Sequence, residues 1–193
     1  MIDPPRMAFS HMGIYVIDPE KMVDFYTRVL GFSITDRAKI RGSDLVFVSR
    51  NPQEHHQIVL VPGRDPASSS TINQISFRVI SLPELRRSHA LLTVEGVAGL
   101  SPINHGGSWS VYFLDPEGNR IELFTQTPWY IPPVSVPLDL GDSDEEIFRI
   151  TEAMVEGKSG HMKRTDWYDQ TRVRMIEEGT IEQRGSNESG EVP

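Results

Sequence analysis

Residues 104–122 combine side chains that can bind a metal ion with side chains that can transfer protons. This stretch predicts a hairpin whose strands, joined by a tight Asp-Pro-Glu-Gly turn, cover residues 109–114 and 120–125. Because alternate residues of a strand share one face, the hairpin brings His105, Tyr112 and Glu122 close together. The sequence therefore predicts a polar cluster on one face of a sheet.

Glu122 is the residue of this cluster that most needs an explanation. It stands between Ile121 and Leu123, and a carboxylate within a buried strand is costly unless it is paired or bound to a metal. An isolated Glu would be assigned to the solvated face of an edge strand. The presence of His105 and Tyr112 nearby favours a metal ligand instead.

The stretch resembles the signature of the type I extradiol ring-cleavage dioxygenases. That signature is a His, a short spacer, an aliphatic residue followed by Tyr, an Asp-Pro-x-Gly turn and a metal-binding Glu. Its elements are present here as His105, Val111, Tyr112, the turn at 115–118 and Glu122. The resemblance implies a metal-dependent enzyme that opens an aromatic ring with O2.

The chain also resembles itself. Residues 9–16, followed by Asp-Pro-Glu, match residues 72–79, followed by Leu-Pro-Glu. Each segment predicts a short strand, a turn and a helix, and further strands follow each helix. One such unit cannot close a hydrophobic core, whereas two units can share a curved sheet.

The two units have the same length, because His11 and Gln74 are 63 residues apart and so are Val59 and Glu122. The expected fold class is α+β, with two βαβββ modules forming a shared curved sheet around a metal cleft and a C-terminal helical extension. This arrangement resembles the vicinal oxygen chelate superfamily, which includes glyoxalase I, bleomycin-resistance proteins and extradiol dioxygenases.

The predicted organisation has four segments. They are one domain over 7–126 (module one 7–62, module two 72–126), a Pro-rich arm over 127–142, a helical extension over 143–179 and a disordered tail over 180–193. Ser143 followed by Glu146 is a capping-box pattern that opens the first helix of the extension. A second helix is predicted from 165 or 166 to 178. These helices are expected to cover a sheet face or a partner subunit, with a lid over the site as the alternative.

Composition restricts the function classes. The net charge of −8 argues against nucleic acid and anionic membrane surfaces as partners. The absence of cysteine excludes disulfides, zinc–thiolate sites and Cys nucleophiles. The sequence contains neither an apolar leader at its start nor a run of membrane-spanning length. We expect a cytoplasmic protein that forms a homo-oligomer.

The superfamily resemblance places metal ligands on the first and last strands of each module, at positions that correspond here to His11, Val59, Gln74 and Glu122. Val59 cannot bind a metal, which leaves His11, Gln74 and Glu122. The dioxygenases have a second His where this chain has Gln74, and an amide oxygen is a weaker donor to Fe(II) than imidazole. Fe(II) is the first expectation, and Mn(II), Mg(II), Ni(II) or a site that has lost its metal remain open.

Three further residues are expected to be catalytic by the same resemblance. His56 corresponds to the His that takes a proton from the diol and later returns it, which suits a group that titrates near neutrality. His105 and Tyr112 correspond to residues that hydrogen-bond the reacting oxygens. The remaining histidines, His55, His89 and His161, are expected at the surface.

The leading hypothesis is an extradiol-type dioxygenase that acts on a catechol-like aromatic diol with O2. One alternative is another enzyme of the same fold, such as an isomerase, an epimerase or a glyoxalase-like lyase. The trio of His56, His105 and Tyr112 disfavours it, because that chemistry does not require these residues. The other alternative is a non-catalytic small-molecule binding protein, which Gln74 favours.

Overall fold

The computed structural model describes residues 7–181. Most of the tail predicted over 180–193 lies outside the described residues. The first module consists of β1 (Met12–Val16), α1 (Pro19–Asp24, continued by a π-helical turn over Phe25–Val29), β2 (Ser33–Ile40), β3 (Ser43–Ser49) and β4 (Ile58–Pro62). The second consists of β5 (Ile75–Arg78), α2 (Leu82–Val94), β6 (Ser101–Asn104), β7 (Ser108–Leu114) and β8 (Arg120–Gln126). The predicted α+β class with two βαβββ modules is confirmed.

Five shorter or peripheral elements follow the second module. They are β9 (Trp129–Tyr130), β10 (Val136–Pro137), α3 (Asp144–Glu156), β11 (Met162–Lys163) and α4 (Arg164–Glu177). Among the described residues, no helix is long and apolar enough to cross a membrane. The division of the chain into domain, arm and extension stays a prediction.

The two modules have the same strand order. The first sheet runs β1-β4-β3-β2, and the second runs β5-β8-β7-β6, with β10 added at its far edge. In each sheet the first and last strands of the module are parallel neighbours. Gly13 lies opposite Val59 in the first pair, and Ser76 lies opposite Glu122 in the second. The 63-residue repeat of the sequence is therefore also a repeat of strand register.

The strands form two hydrogen-bonded sheets that share one apolar core. Phe25 of the first module packs against Phe113 of the second at 6.4 Å between ring centroids. Phe32 and Phe77 pack at 5.5 Å. Burial of aromatic rings from both modules stabilises their association, because each ring removes a large apolar area from water.

A polar contact also joins the modules. Glu117, in the turn between β7 and β8, accepts hydrogen bonds from the backbone N–H groups of Ile17 and Asp18 at 2.7 and 2.8 Å. Arg64, in the link between the modules, lies 3.6 Å from the other carboxylate oxygen of Glu117. The hairpin turn of the second module is thus fixed to the start of α1.

Helix α3 covers the outer face of the second sheet. Ser143 accepts a hydrogen bond from Glu146 N at 3.2 Å and so caps the helix where the sequence predicts its start, but the Glu146 carboxylate binds Arg149 and does not complete a capping box. Thr151 of α3 is buried, and its hydroxyl accepts hydrogen bonds from Trp109 Nε1 and Asn104 Nδ2, both at 2.9 Å. The opposite face of this sheet, which carries Glu122, is left for the candidate site.

Candidate functional site

Glu122 lies in the middle of β8 and is only 7% exposed. Three neutral groups donate hydrogen bonds to its carboxylate. Ser110 donates to Oε1 at 2.7 Å, while Ser76 and Gln74 donate to Oε2 at 2.6 and 3.0 Å. The strand register explains this convergence, because Ser76 is directly opposite Glu122 on β5 and Ser110 lies on the neighbouring strand β7.

No ion pair joins Glu122 to a cationic side chain within residues 7–181. Its negative charge is therefore compensated there by dipoles alone, and a buried carboxylate in this state favours an added cation. The amide nitrogen of Gln74 points at Glu122, and its amide oxygen has no hydrogen-bond partner in the described part of the chain. A divalent metal that takes oxygen ligands would therefore bind both residues only after the Gln74 amide turns its oxygen toward Glu122.

His11 and His56 form a second group, on the first module. Their rings lie 4.2 Å apart between centroids. His11 is exposed at the start of β1, whereas His56 is half-buried before β4 and contacts His55 through Nδ1 atoms 3.0 Å apart. Burial lowers the pKa of His56, and the neighbouring His11 and His55 lower it further. His56 is therefore held in the neutral form that can accept a proton.

His105 and Tyr112 form a hydrogen-bonded pair beside Glu122. The Nε2 atom of His105 and the Tyr112 hydroxyl are 3.1 Å apart. Burial raises the pKa of Tyr112 to about 12, and Glu122 raises it as well. The guanidinium of Arg120 lies 4.2 Å from the Tyr112 ring centroid and acts in the opposite direction. Tyr112 is consequently a neutral phenol at ordinary pH.

The structure thus brings six predicted or neighbouring residues together on one sheet face: Gln74, Ser76, Ser110, Tyr112, Glu122 and, through Tyr112, His105. It brings His11 and His56 together on the other module. No hydrogen bond, ion pair or ring contact of the described residues joins the two groups. Likewise, residues 7–181 contain no cluster of three or more His, Asp or Glu side chains placed to hold a metal. The convergence of His11 with Gln74 and Glu122 stays a prediction.

A cavity of about 920 Å³ lies between the modules. Ser10, next to His11, and Ser76, the partner of Glu122, both line it. None of the six predicted site residues is itself part of its wall. Its wall thus includes one residue in contact with each group, since Ser10 lies 3.2 Å from His11 and Ser76 donates to Glu122.

Sequence reasoning missed two polar residues of the site and one backbone group. Ser76 follows Gln74 by two positions, so strand alternation indicates that they share a face. Arg120 has the same relationship to Glu122. The carbonyl of Val134, which contacts His105, gives no signal in the sequence, because any residue carries a carbonyl.

A sequence profile of the Glyoxalase/Bleomycin resistance protein/Dioxygenase superfamily matches residues 8–123. Biphenyl-2,3-diol 1,2-dioxygenase 2 of Rhodococcus globerulus is 27% identical over 121 residues, which cover 60% of each chain. The 2,2',3-trihydroxybiphenyl dioxygenase of Sphingomonas paucimobilis is 27% identical over 119 residues, covering 60% of this chain and 40% of that protein. The chain thus spans about 60% or less of the length of these relatives.

Two solved structures show the same fold. A glyoxylase/bleomycin resistance protein/dioxygenase domain from Frankia sp. EAN1pec superimposes with a TM-score of 0.54 at 19% identity, covering 64% of this chain and 100% of that one. A mutant of the fosfomycin resistance protein FosX from Listeria monocytogenes, in complex with Mn(II) and 1S,2S-dihydroxypropylphosphonic acid, gives 0.52 at 21% identity and covers 64% and 95%. The profile match, which extends over more than half of the chain, shows that this protein belongs to the Glyoxalase/Bleomycin resistance protein/Dioxygenase superfamily.

Proposed function

We propose that this protein is a metal-dependent extradiol-type dioxygenase that cleaves a catechol-like aromatic diol with O2. The observation that carries the proposal is the setting of Glu122. It is a buried carboxylate with three neutral donors and no cationic partner in the described part of the chain. The Tyr112–His105 pair lies directly beside it. The names of the Rhodococcus and Sphingomonas relatives support the same reaction class.

The residues proposed to hold the metal are His11, Gln74 and Glu122. Fe(II) is the proposed metal, with Mn(II) as the alternative that the amide ligand favours. When bound, the metal supplies a site where diol and O2 are held together and can exchange electrons. The chain itself supplies orientation and proton transfer.

His56 is the proposed proton acceptor. A diol must lose a proton from one hydroxyl to bind as an anion, and a neutral imidazole is the group suited to take it near pH 7. The lowered pKa of His56 keeps its ring neutral at that pH. Tyr112 and His105 are proposed to orient the oxygen atoms of the substrate by hydrogen bonding, since Tyr112 remains protonated throughout the ordinary pH range.

A non-catalytic binding protein is the second candidate, and one contact favours it. Gln74 Nε2 donates to Glu122 at 3.0 Å, so the amide partly satisfies the carboxylate without any metal. A binding protein of this kind would hold a small molecule in the cleft, and the hydrogen-bond network around Glu122 would stabilise the sheet.

Metal analysis combined with a substrate panel distinguishes the two candidates. The protein is purified without chelator and reconstituted anaerobically with Fe(II) or Mn(II). It is then offered catechol, 3-methylcatechol and 2,3-dihydroxybiphenyl while O2 consumption and yellow ring-fission products are followed. We expect stoichiometric metal and turnover of at least one diol. Glu122→Gln should abolish both, whereas Glu156→Gln, an exposed matched control on α3, should change neither.

Three results would contradict this proposal. Metal bound equally well by parent and Glu122→Gln would remove Glu122 from the site. Stoichiometric metal without turnover of any diol would favour another enzyme of the superfamily, and absence of metal binding together with diol binding would favour the binding protein.

A further inference from the structure

The ring of His105 is held by a backbone carbonyl from outside the superfamily region. His105 Nδ1 and the carbonyl oxygen of Val134 are 2.6 Å apart. A carbonyl oxygen can only accept a hydrogen bond, so Nδ1 must carry the proton. Val134 lies beyond residue 123, where the superfamily match ends. The contact is therefore made by the arm, outside the residues that the superfamily profile matches.

The other ring nitrogen then has a defined role. With Nδ1 protonated, Nε2 of the neutral ring is an acceptor, and its hydrogen-bond partner within the described residues is the Tyr112 hydroxyl at 3.1 Å. Tyr112 also lies near Glu122, but that carboxylate already accepts three hydrogen bonds. Because an Nε2 without a proton can only accept, the 3.1 Å contact requires the single proton of Tyr112 to point at His105, and the lone pairs of the Tyr112 oxygen then point away from that ring.

The arm fixes the Val134 carbonyl from both sides. Downstream, β10 pairs with β6 so that Val136 lies opposite Asn104, and buried Leu138 donates its N–H to Pro102 O at 3.1 Å. Upstream, Ile131 is 5% exposed and packs where a side chain on Gly106 would otherwise lie. The segment between these anchors contains Pro132 and Pro133, whose fixed φ angles reduce its freedom.

We propose that the Val134 carbonyl is a positioning group that locks His105 in the Nδ1–H tautomer, so that the Tyr112 oxygen accepts a hydrogen bond from a hydroxyl group of the substrate. The relay runs from substrate hydroxyl to Tyr112, from Tyr112 to His105 and from His105 to the arm. It rests on the proposed function only in naming the diol as the donor. A substrate analogue in which both hydroxyls are methylated cannot complete the relay.

Nitrogen NMR of ¹⁵N-histidine-labelled protein tests the tautomer without any turnover. Long-range ¹H–¹⁵N spectra at about pH 8, where free imidazole is neutral, distinguish Nδ1–H from Nε2–H rings, and the His105→Gln variant assigns the His105 signals. We expect Nδ1–H in the wild type and a mixture of tautomers in the double variant Pro132→Gly/Pro133→Gly. The matched double variant Pro52→Gly/Pro66→Gly changes two exposed prolines and should leave the His105 signals unchanged.

A ligand pair tests the acceptor role of Tyr112. Catechol should bind about tenfold more tightly than its dimethyl ether, in which neither oxygen can donate, since one hydrogen bond in a binding site is usually worth about that factor. Tyr112→Phe should remove this preference. An Nε2–H ring in the wild type, or a preference that survives in Tyr112→Phe, would overturn the proposal. If neither ligand binds while the Nδ1–H signals persist, the diol of the proposed function is wrong and the tautomer lock stands.

Discussion

Ser76 donates a 2.6 Å hydrogen bond to Glu122 across the parallel pair of β5 and β8. The equivalent pair of the first module is Gly13 and Val59, in the same register. There a Cβ atom on Gly13 would lie 3.2 Å from the Val59 side chain. The missing side chain thus leaves room for Val59, an apolar residue at the position where the second module has a hydrogen-bonded carboxylate. One backbone arrangement thus occurs twice, but only the second copy has a carboxylate on its last strand.

The hydrogen bonds to Glu122 differ in exposure, and their loss should differ in cost. Ser110 is fully buried, whereas Ser76 is exposed. Ser110→Ala should lower the free energy of unfolding by about 2 kcal/mol, because no water can replace its hydroxyl. Ser76→Ala should cost less than about 1 kcal/mol, since water can take its place. Denaturant unfolding of both variants measures the difference, and equal costs would contradict this account.

A second prediction concerns the turn after His105. Gly106 and Gly118 both have positive φ angles, of 70° and 78°. A methyl group on Gly118 would meet no atom within 4 Å, whereas one on Gly106 would overlap Ile131 Cδ1. Gly118→Ala should cost about 1 kcal/mol from backbone strain alone. Gly106→Ala should cost about 1–3 kcal/mol more, because Ile131 and the arm must shift.

Thermal and denaturant unfolding test this pair directly. The Gly106→Ala variant should also alter the His105 tautomer signals, since Ile131 anchors the arm whose Val134 carbonyl contacts the His105 ring. Identical unfolding free energies of the two variants would show that the arm moves away from the added methyl group without destabilising the protein.

The hairpin and the module repeat could be predicted because their signals are local. The Asp-Pro-Glu-Gly turn fixes the pairing of the strands that flank it, and the structure places these strands at Ser108–Leu114 and Arg120–Gln126. By contrast, β9, β10 and β11 are two residues each, and their partners are distant in sequence. Such strands form only because tertiary contacts hold them in place, so no periodicity in the sequence predicts them.

The candidate site was predictable to a similar extent. Glu122 and Tyr112 are opposite one another in the observed register, as strand alternation indicates. The contribution of Ser76 depends on the parallel pairing of β5 with β8, which joins strands far apart in the chain. The position of His11 relative to Glu122 depends on how two modules pack, and short-range patterns carry no information about that packing.

The raised pKa of Tyr112 predicts a loss of stability at alkaline pH. In the folded protein the pKa of Tyr112 is raised to about 12, against the ordinary value of 10.0. The folded state therefore holds the proton more tightly, and this contribution is present below pH 10 and lost as the pH rises toward 12. Tyr112→Phe should flatten the fall of unfolding free energy over that range, while the exposed control Tyr168→Phe should not.

A substitution at Arg120 tests the pKa of Tyr112 independently. Its positive charge lowers the pKa of Tyr112, so Arg120→Met should move the tyrosinate absorbance transition to higher pH. A transition that stays in place would show that the guanidinium over the ring has no electrostatic effect.

Replacing Gln74 by His should improve the site for iron. Imidazole completes the set of two His and one carboxylate that suits Fe(II), so Gln74→His should tighten Fe(II) binding on the order of tenfold and raise or create ring-cleavage activity. Asn73→His is the matched control, because that neighbouring residue is exposed. Fe(II) titration under anaerobic conditions measures both. Equal affinities for the two variants and the parent would mean that Gln74 is not a ligand.

His56 separates an enzyme from a binding protein. Because it is proposed to move a proton rather than to hold the metal, His56→Phe should leave metal content nearly unchanged and reduce turnover by a factor on the order of 100. His161→Phe, an exposed control, should affect neither.

The pH profile of the parent tests the same residue. The acid limb of its kcat/KM should lie below pH 6.5, the ordinary pKa of histidine, since burial and two neighbouring histidines lower the pKa of His56. Removing one of those neighbours, in His55→Phe, should move the limb to higher pH. Oxygen consumption over a pH series measures all four proteins, and equal rates for parent and His56→Phe would exclude this residue from the mechanism.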